Sequence, residues 1–195
     1  MIYIDIQHIG KPNNPDDMGA SKGDDVFDNE AYWTSLYAFY MEMHLRHIGY
    51  SVMRLCDGRY SDRHERVNRY EADYPSSKPS VYLSCHINGG GGSYGAYFYD
   101  HRSSLGPDLA AAIADEVDLP GISAAKTLPA SPGDWTSNAY NTIKDVRRPV
   151  SICLEPFFLD NPAHQRYMDV DKIYLVGEAI ANGIHSWYIS QGEQP

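Results

Sequence analysis

The sequence predicts a single α/β domain spanning residues 1–195, with a twisted, mostly parallel or mixed central sheet flanked by helices. Three observations predict it. Short β-rich runs alternate with longer stretches of helical period along the whole chain. The runs Val81-Tyr82-Leu83-Ser84-Cys85-His86 and Val150 to Leu154 are apolar and β-prone, as buried strands are. A chain of 195 residues with no repeat and no linker has the length of one domain with a substantial core.

The elements follow in order. Ile2 to Ile6 is a first strand, closed by Gly10, Pro12 and Pro15. Residues 11–27 are rich in Gly, Pro, Asn and Asp and read as a loop. Trp33, Leu36, Tyr37, Tyr40, Met41 and Leu45 recur at spacings of three and four, which predicts a helix from about Asn29 to His47, with Asp28 as its N-cap and Gly49 as its stop. Tyr50 to Leu55 is the next strand, and residues 62–73 the next helix. After the Val81–His86 strand comes a glycine tract, Gly89 to Gly92, and a strand from Tyr94 to Tyr99. Leu105 to Val117 is an Ala-rich helix. Residues 121–148 carry no readable period. The Val150–Leu154 strand and a final amphipathic helix, Val170 to Tyr188, complete the chain.

Composition narrows the function classes. The formal net charge is −10, which repels polyphosphates and argues against nucleic acid as a partner. No run is long enough to span a membrane. No signal peptide is visible ahead of the first strand, so a protein acting on a cell exterior is expected to be released by other means or to be a processed form. Cys56, Cys85 and Cys153 are odd in number and unclustered, so they read as buried small hydrophobes. A monomer is expected.

In open α/β sheets, ligands bind beyond the carboxyl ends of the strands. His8, His86 and Glu155 each stand just past such an end. Two histidines with a carboxylate are a frequent catalytic zinc set that leaves one coordination position open. Glu155 directly follows Val-Ser-Ile-Cys-Leu, where a charge at the edge of the core needs a partner or a task. Glu30, by itself, reads as a first-turn carboxylate favoured by the helix dipole. His44 and His47 read as a solvated or half-buried helix face, and His64, His101, His164 and His185 as structural or exposed. The glycine tract reads either as a simple loop or as a flexible rim beside a metal; it lacks the Lys-Ser or Lys-Thr of a phosphate loop. Tyr94, Tyr97 and Tyr99 could share one face of their strand. Trp135, Asn138 and Tyr140 could line a sugar or peptide groove.

Seven blocks in order resemble the amidase_3 type of zinc-dependent N-acetylmuramoyl-L-alanine amidases. They are Ile4-Asp5-Ile6-Gln7-His8; Asn29-Glu30; Gly49-Tyr50-Ser51-Val52; Arg63 with Asn68, Ala72 and Asp73; Ser84-Cys85-His86-Ile87-Asn88; Leu154-Glu155-Pro156 with Phe158 to Asn161; and Ala179 to Ile184. The resemblance covers roughly residues 2–188 and implies a phosphorylase- or hydrolase-like fold. It implies one zinc ion per chain held by His8, Glu30 and His86, with Glu155 as the general base near the metal. The implied substrate is peptidoglycan, cut at the amide between N-acetylmuramic acid and L-alanine, as in wall remodelling or phage endolysins. The chain departs from the pattern at Ile9-Gly10-Lys11-Pro12, at Leu55-Cys56-Asp57 where an arginine is usual, at the Pro75–Pro79 insertion, and at Phe157, a bulky residue expected to narrow the site. Two other readings stay open. One is a carboxypeptidase-like zinc peptidase, although in that class the first His and Glu lie close in sequence, whereas 22 residues separate His8 from Glu30. The other is a non-catalytic wall-binding module.

Overall fold

The computed structural model describes residues 1–133 and 135–195. Six strands form one mixed sheet: β1 (Ile2–Ile6), β2 (Val52–Leu55), β3 (Val81–Cys85), β4 (Tyr94–Asp100), β5 (Ser123–Ala130) and β6 (Val150–Glu155), in the order β2-β1-β3-β6-β4-β5. Strands β2, β1, β3 and β6 run parallel, β4 runs antiparallel to β6, and β5 is parallel to β4. The expected mixed α/β sheet is therefore present. The helices are α1 (Glu30–His47), α2 (Tyr60–Asp73), α3 (Gly106–Glu116), α4 (Ser137–Ile143) and α5 (Ile173–Ser190).

Side-chain alternation along the strands separates two cores. Ile2, Ile4 and Ile6 of β1, Val81 and Leu83 of β3, and Ile152 and Leu154 of β6 face α1, α3 and α5. The helical stripe read from sequence is what α1 buries: Trp33, Tyr37, Met41 and Leu45 lie in this core. Tyr3, Tyr82 and Cys153 point the other way, onto Val67 of α2 and Ala139, Tyr140 and Ile143 of α4. This parity matters for the site, because Glu155 shares the face of Cys153, beneath α4.

Several boundaries move for local reasons. Asn29, not Asp28, caps α1: its side chain accepts from the Tyr32 amide at 3.0 Å, while Asp28 ends a short 3-10 turn. The segment without a readable period, 121–148, contains β5 and α4. Strand β5 carries Pro129 and sits at the sheet edge, where a missing donor is tolerated. Tyr97 and Tyr99 pack on the α1 side while Tyr94 packs on the other with Ala96 and Phe98, as strand alternation requires of residues an odd number of positions apart. All three cysteines are free; Cys85 and Cys153 are buried and Cys56 half-buried. No described helix is long and apolar enough to cross a membrane.

Candidate metal centre

The centre forms where β1, β3 and α1 meet. β1 ends at Ile6, and the chain then turns sharply at His8, whose φ of 61° lies in the left-handed region. A non-glycine residue holds that conformation only when its surroundings fix it. Here Arg63 of α2 does so. Its guanidinium, fully buried, donates to the Asp5 carboxylate at 2.7 Å, to the Ile6 carbonyl at 2.8 Å and to the Ile9 carbonyl, so it pins the backbone on both sides of His8. Gly10 completes the turn with φ 65°; a Cβ there would collide with the Cys56 carbonyl. The altered turn after the first histidine thus still holds His8 beside Glu30 and His86.

His8 is oriented at its outer nitrogen. Nδ1 lies 2.9 Å from Asp17 Oδ1, and Asp17 is itself bound by Lys11 and by the Gly19 amide at 3.1 Å. These partners, working against burial, pull the Asp17 carboxyl down to about 2. With Nδ1–H donated to Asp17, the Nε2 lone pair of His8 faces inward. Asp17 is a site residue that the sequence analysis missed.

Glu30 opens α1 and is buried. Its Oε2 accepts the Ala20 amide at 2.8 Å and its Oε1 accepts the Ile87 amide at 3.1 Å. Gly19 passes so close that a Cβ there would strike the Glu30 carboxylate. His86 follows β3 by one residue and is held by its own backbone: its amide donates to the Leu154 carbonyl at 2.9 Å and its carbonyl accepts Tyr37 Oη at 3.0 Å. Burial works against a charged Glu30, yet the two histidines outweigh it and hold the carboxyl far below its usual range. Burial likewise opposes charge on His8, but Glu30 and Asp17 raise it overall.

Three ligand-type atoms converge. His8 Nε2 and His86 Nδ1 are 3.2 Å apart, and Glu30 Oε1 lies 3.2 Å from the first and 2.9 Å from the second. A tetrahedral ion with bonds of about 2.0–2.1 Å holds its ligand atoms about 3.3 Å apart, so these residues fit a metal of the zinc type. Two imidazole nitrogens and a carboxylate oxygen gathered this closely have their lone pairs pointed at one spot, which a cation satisfies. Among the described residues, this is the His/Cys/Asp/Glu group able to hold a metal ion.

Glu155 ends β6 and, with His8, His86, Tyr60, Asn138 and Thr142, lines a cavity of about 390 Å³. No cationic side chain pairs with it among the described residues. Burial raises its carboxyl to about 7, with His86 pulling down and Glu30 pushing up as smaller effects. A carboxyl poised near neutrality is suited to exchange protons at physiological pH. The structure thus gathers His8, Glu30 and His86, and the two histidines line the same cavity as Glu155.

Other expectations resolve differently. Phe157 does not narrow the cleft; its ring is buried in the core against Tyr167. The Gly90 and Gly91 amides are bound to the Asp160 carboxylate at 3.0 and 2.9 Å, and the tract does not line the cavity that holds Glu155. Asn138 lines the cavity, Tyr140 is buried beneath it, and Trp135 is 71% exposed against Phe98. His64 and His164 are buried and structural; His44 is half-buried and His47 exposed.

No family model matches the sequence, and no curated protein matches it. Solved structures do match. The N-acetylmuramoyl-L-alanine amidase AmiC2 of Nostoc punctiforme superposes with a TM-score of 0.73 at 18% identity, over 97% of this chain and 96% of that one. The chain has the fold of the N-acetylmuramoyl-L-alanine amidases. The amidase fold recurs in the catalytic domain of the CD27L endolysin targeting Clostridia difficile, with TM-score 0.64, 19% identity and coverage of 100% of this chain and 98% of that one. Cwp6 from Clostridium difficile matches with TM-score 0.72 at 18% identity; there the amidase-fold chain spans 95% of its own length and 28% of the larger protein.

Proposed function

We propose that the protein is a zinc-dependent N-acetylmuramoyl-L-alanine amidase that hydrolyses the amide between N-acetylmuramic acid and L-alanine in peptidoglycan. The observation that carries this reading is the convergence of His8 Nε2, His86 Nδ1 and Glu30 Oε1, with both histidines lining the cavity that also holds Glu155. The fold shared with named amidases supports the substrate class. His8, Glu30 and His86 would hold the zinc ion, one per chain. Bound there, zinc supplies Lewis acidity, polarising a carbonyl and lowering the pKa of a water.

The chain's own groups do the rest. Asp17 fixes the His8 tautomer so that Nε2 stays free to ligate. Glu155, with its carboxyl near 7, accepts a proton from the attacking water and returns it to the L-alanine nitrogen as the C–N bond breaks. That second transfer matters because an amide anion is a poor leaving group. Asn138 and Thr142 of α4 offer polar contacts along the cleft. All four residues come from one chain, so a monomer is sufficient for the reaction.

The test is mass spectrometry of digested peptidoglycan beside metal analysis. New muramic lactyl carboxyl ends and free L-alanine amino ends are expected. New ends within the stem peptide would replace this reading with a peptidase, and wall binding without turnover under any metal would replace it with a binding module. Glu155→Gln should lower turnover by at least about 10²-fold while zinc stays near one per chain. A fully active, metal-loaded Glu155→Gln enzyme would remove Glu155 from the mechanism. His86→Ala should lose zinc; stoichiometric retention would exclude His86 as a ligand.

A further inference from the structure

The far end of the sheet carries a second cavity of about 410 Å³, built from two connections: Asp100 to Leu105 after β4, and Lys144 to Ser151 leading into β6. Strand β6 runs from this cavity at Val150 to the metal cleft at Glu155, a separation of roughly 17 Å at the usual rise per residue. Four cationic side chains, Arg102, Lys144, Arg147 and Arg148, line it against a single carboxylate, Asp100. Arg102 already engages that carboxylate, with Nε at 2.9 Å and Nη2 at 2.5 Å. Lys144, Arg147 and Arg148 form no ion pair among the described residues; the Arg148 guanidinium reaches only the Glu71 carbonyl, at 3.1 Å. On a chain with a net charge of −10, such a local inversion of sign concentrates anions where the rest of the surface repels them.

The cavity is also not a closed pocket for one ion. Arg102, Lys144 and Arg147 line a neighbouring cavity of about 760 Å³ as well, which continues along α2 to Arg69 and Asn68 and includes Glu65 and Asp145. The cations therefore border a continuous groove. Guanidinium forks match phosphate and carboxylate oxygens alike. Here, though, the donors come from two separate chain segments: Arg102 follows β4, whereas Lys144, Arg147 and Arg148 precede β6. Donors approaching from two sides suit a tetrahedral phosphate better than a flat carboxylate. Neither cavity has a Tyr, Phe or Trp in its lining, so there is no platform on which bases could stack, and stacking is what single-stranded nucleic acid uses.

The geometry points to a docking groove for a base-free phosphodiester polymer, a polyol-phosphate chain, along the Arg102–Lys144–Arg147 surface. Such a polymer would hold the protein while the metal cleft at the opposite end of the sheet stays open. This inference does not depend on what the cleft hydrolyses, so the two readings fail separately.

The experiment is calorimetric titration of the whole zinc-loaded protein with a soluble polyglycerol-phosphate oligomer, at low and at physiological salt. Binding that weakens as salt rises is expected, together with a loss of roughly tenfold or more in the Lys144→Glu/Arg147→Glu double variant. The variant should hydrolyse a small soluble muropeptide at the wild-type rate, or, if the cleft proves inactive, bind zinc as wild type does. Should charge reversal disturb folding, Lys144→Gln/Arg147→Gln gives the same comparison with a milder change. No binding, wild-type affinity in the folded variant, or equal affinity for polyglutamate or single-stranded RNA would each overturn the proposal.

Discussion

His8 is the residue on which the centre turns. Its left-handed backbone is held by Arg63 from beneath and its ring by Asp17 from outside. The partner of a ligating imidazole typically contributes 10- to 100-fold in metal affinity. Asp17→Asn is therefore expected to weaken zinc binding by about that factor, read by competition with a chromogenic chelator, with little change in the denaturation midpoint. Unchanged zinc affinity would show that Asp17 is only a surface partner of Lys11. Arg63 acts differently. It is buried with Asp5, so Arg63→Ala leaves a carboxylate unpaired in the core, at a cost of about 3–5 kcal/mol in a urea titration. His8, His86 and Glu155 were legible in the sequence because strand ends mark them. Asp17 was not, since it lies in a polar loop with no period, among neighbours of the same composition.

At the scale of elements, the helix α5 shows why local preference misleads. It carries Gly177 and Gly183, each about 1 kcal/mol worse than alanine in a free helix. Both stand where another helix crosses. A Cβ on Gly177 would lie 2.5 Å from the Tyr37 carbonyl and 2.7 Å from the Met41 amide of α1, and one on Gly183 would lie 2.5 Å from Ile113 Cα of α3. These are backbone atoms and cannot turn aside. Gly177→Ala is thus expected to destabilise the fold, by about 1–3 kcal/mol, despite its better helix propensity. A rise in melting temperature would mean that the α1–α5 crossing is looser than described. The opposite problem hid β5 and α4. α4 has seven residues, too few to stand without tertiary support, and β5 contains Pro129, which sequence rules count against a strand. The sheet edge and the packing of Ala139, Tyr140 and Ile143 supply what the local sequence lacks.

For the whole molecule, two histidines in different layers add to the loss of stability as pH falls from neutrality. His64 of α2 lies between Tyr82 Oη at 3.1 Å and the Thr142 carbonyl at 3.0 Å; His164 accepts the Phe158 amide at 2.9 Å on Nδ1, which secures the turn just after Glu155. Burial holds both imidazoles below their usual range. In the unfolded chain each titrates near 6.5. Above that pH both states are neutral and the stability is fully present. As pH falls below about 6.5 the unfolded chain takes up protons that the folded one refuses, and stability is lost at up to about 1.4 kcal/mol per pH unit for each histidine. Glu155 runs the other way: a folded value near 7 against 4.5 means stability present below 4.5 and lost as pH rises through 7. The two trends are separated by difference. Urea titrations at pH 7 and pH 5.5 of the parent, His64→Gln and His164→Gln cancel every group the variants share. Each variant should lose part of the parent's drop in stability between the two pH values. Equal drops in all three proteins would place the acid sensitivity elsewhere. Where they differ, His164→Gln should also lower turnover at neutral pH, because the Phe158 amide it frees lies three residues beyond Glu155, the proposed general base.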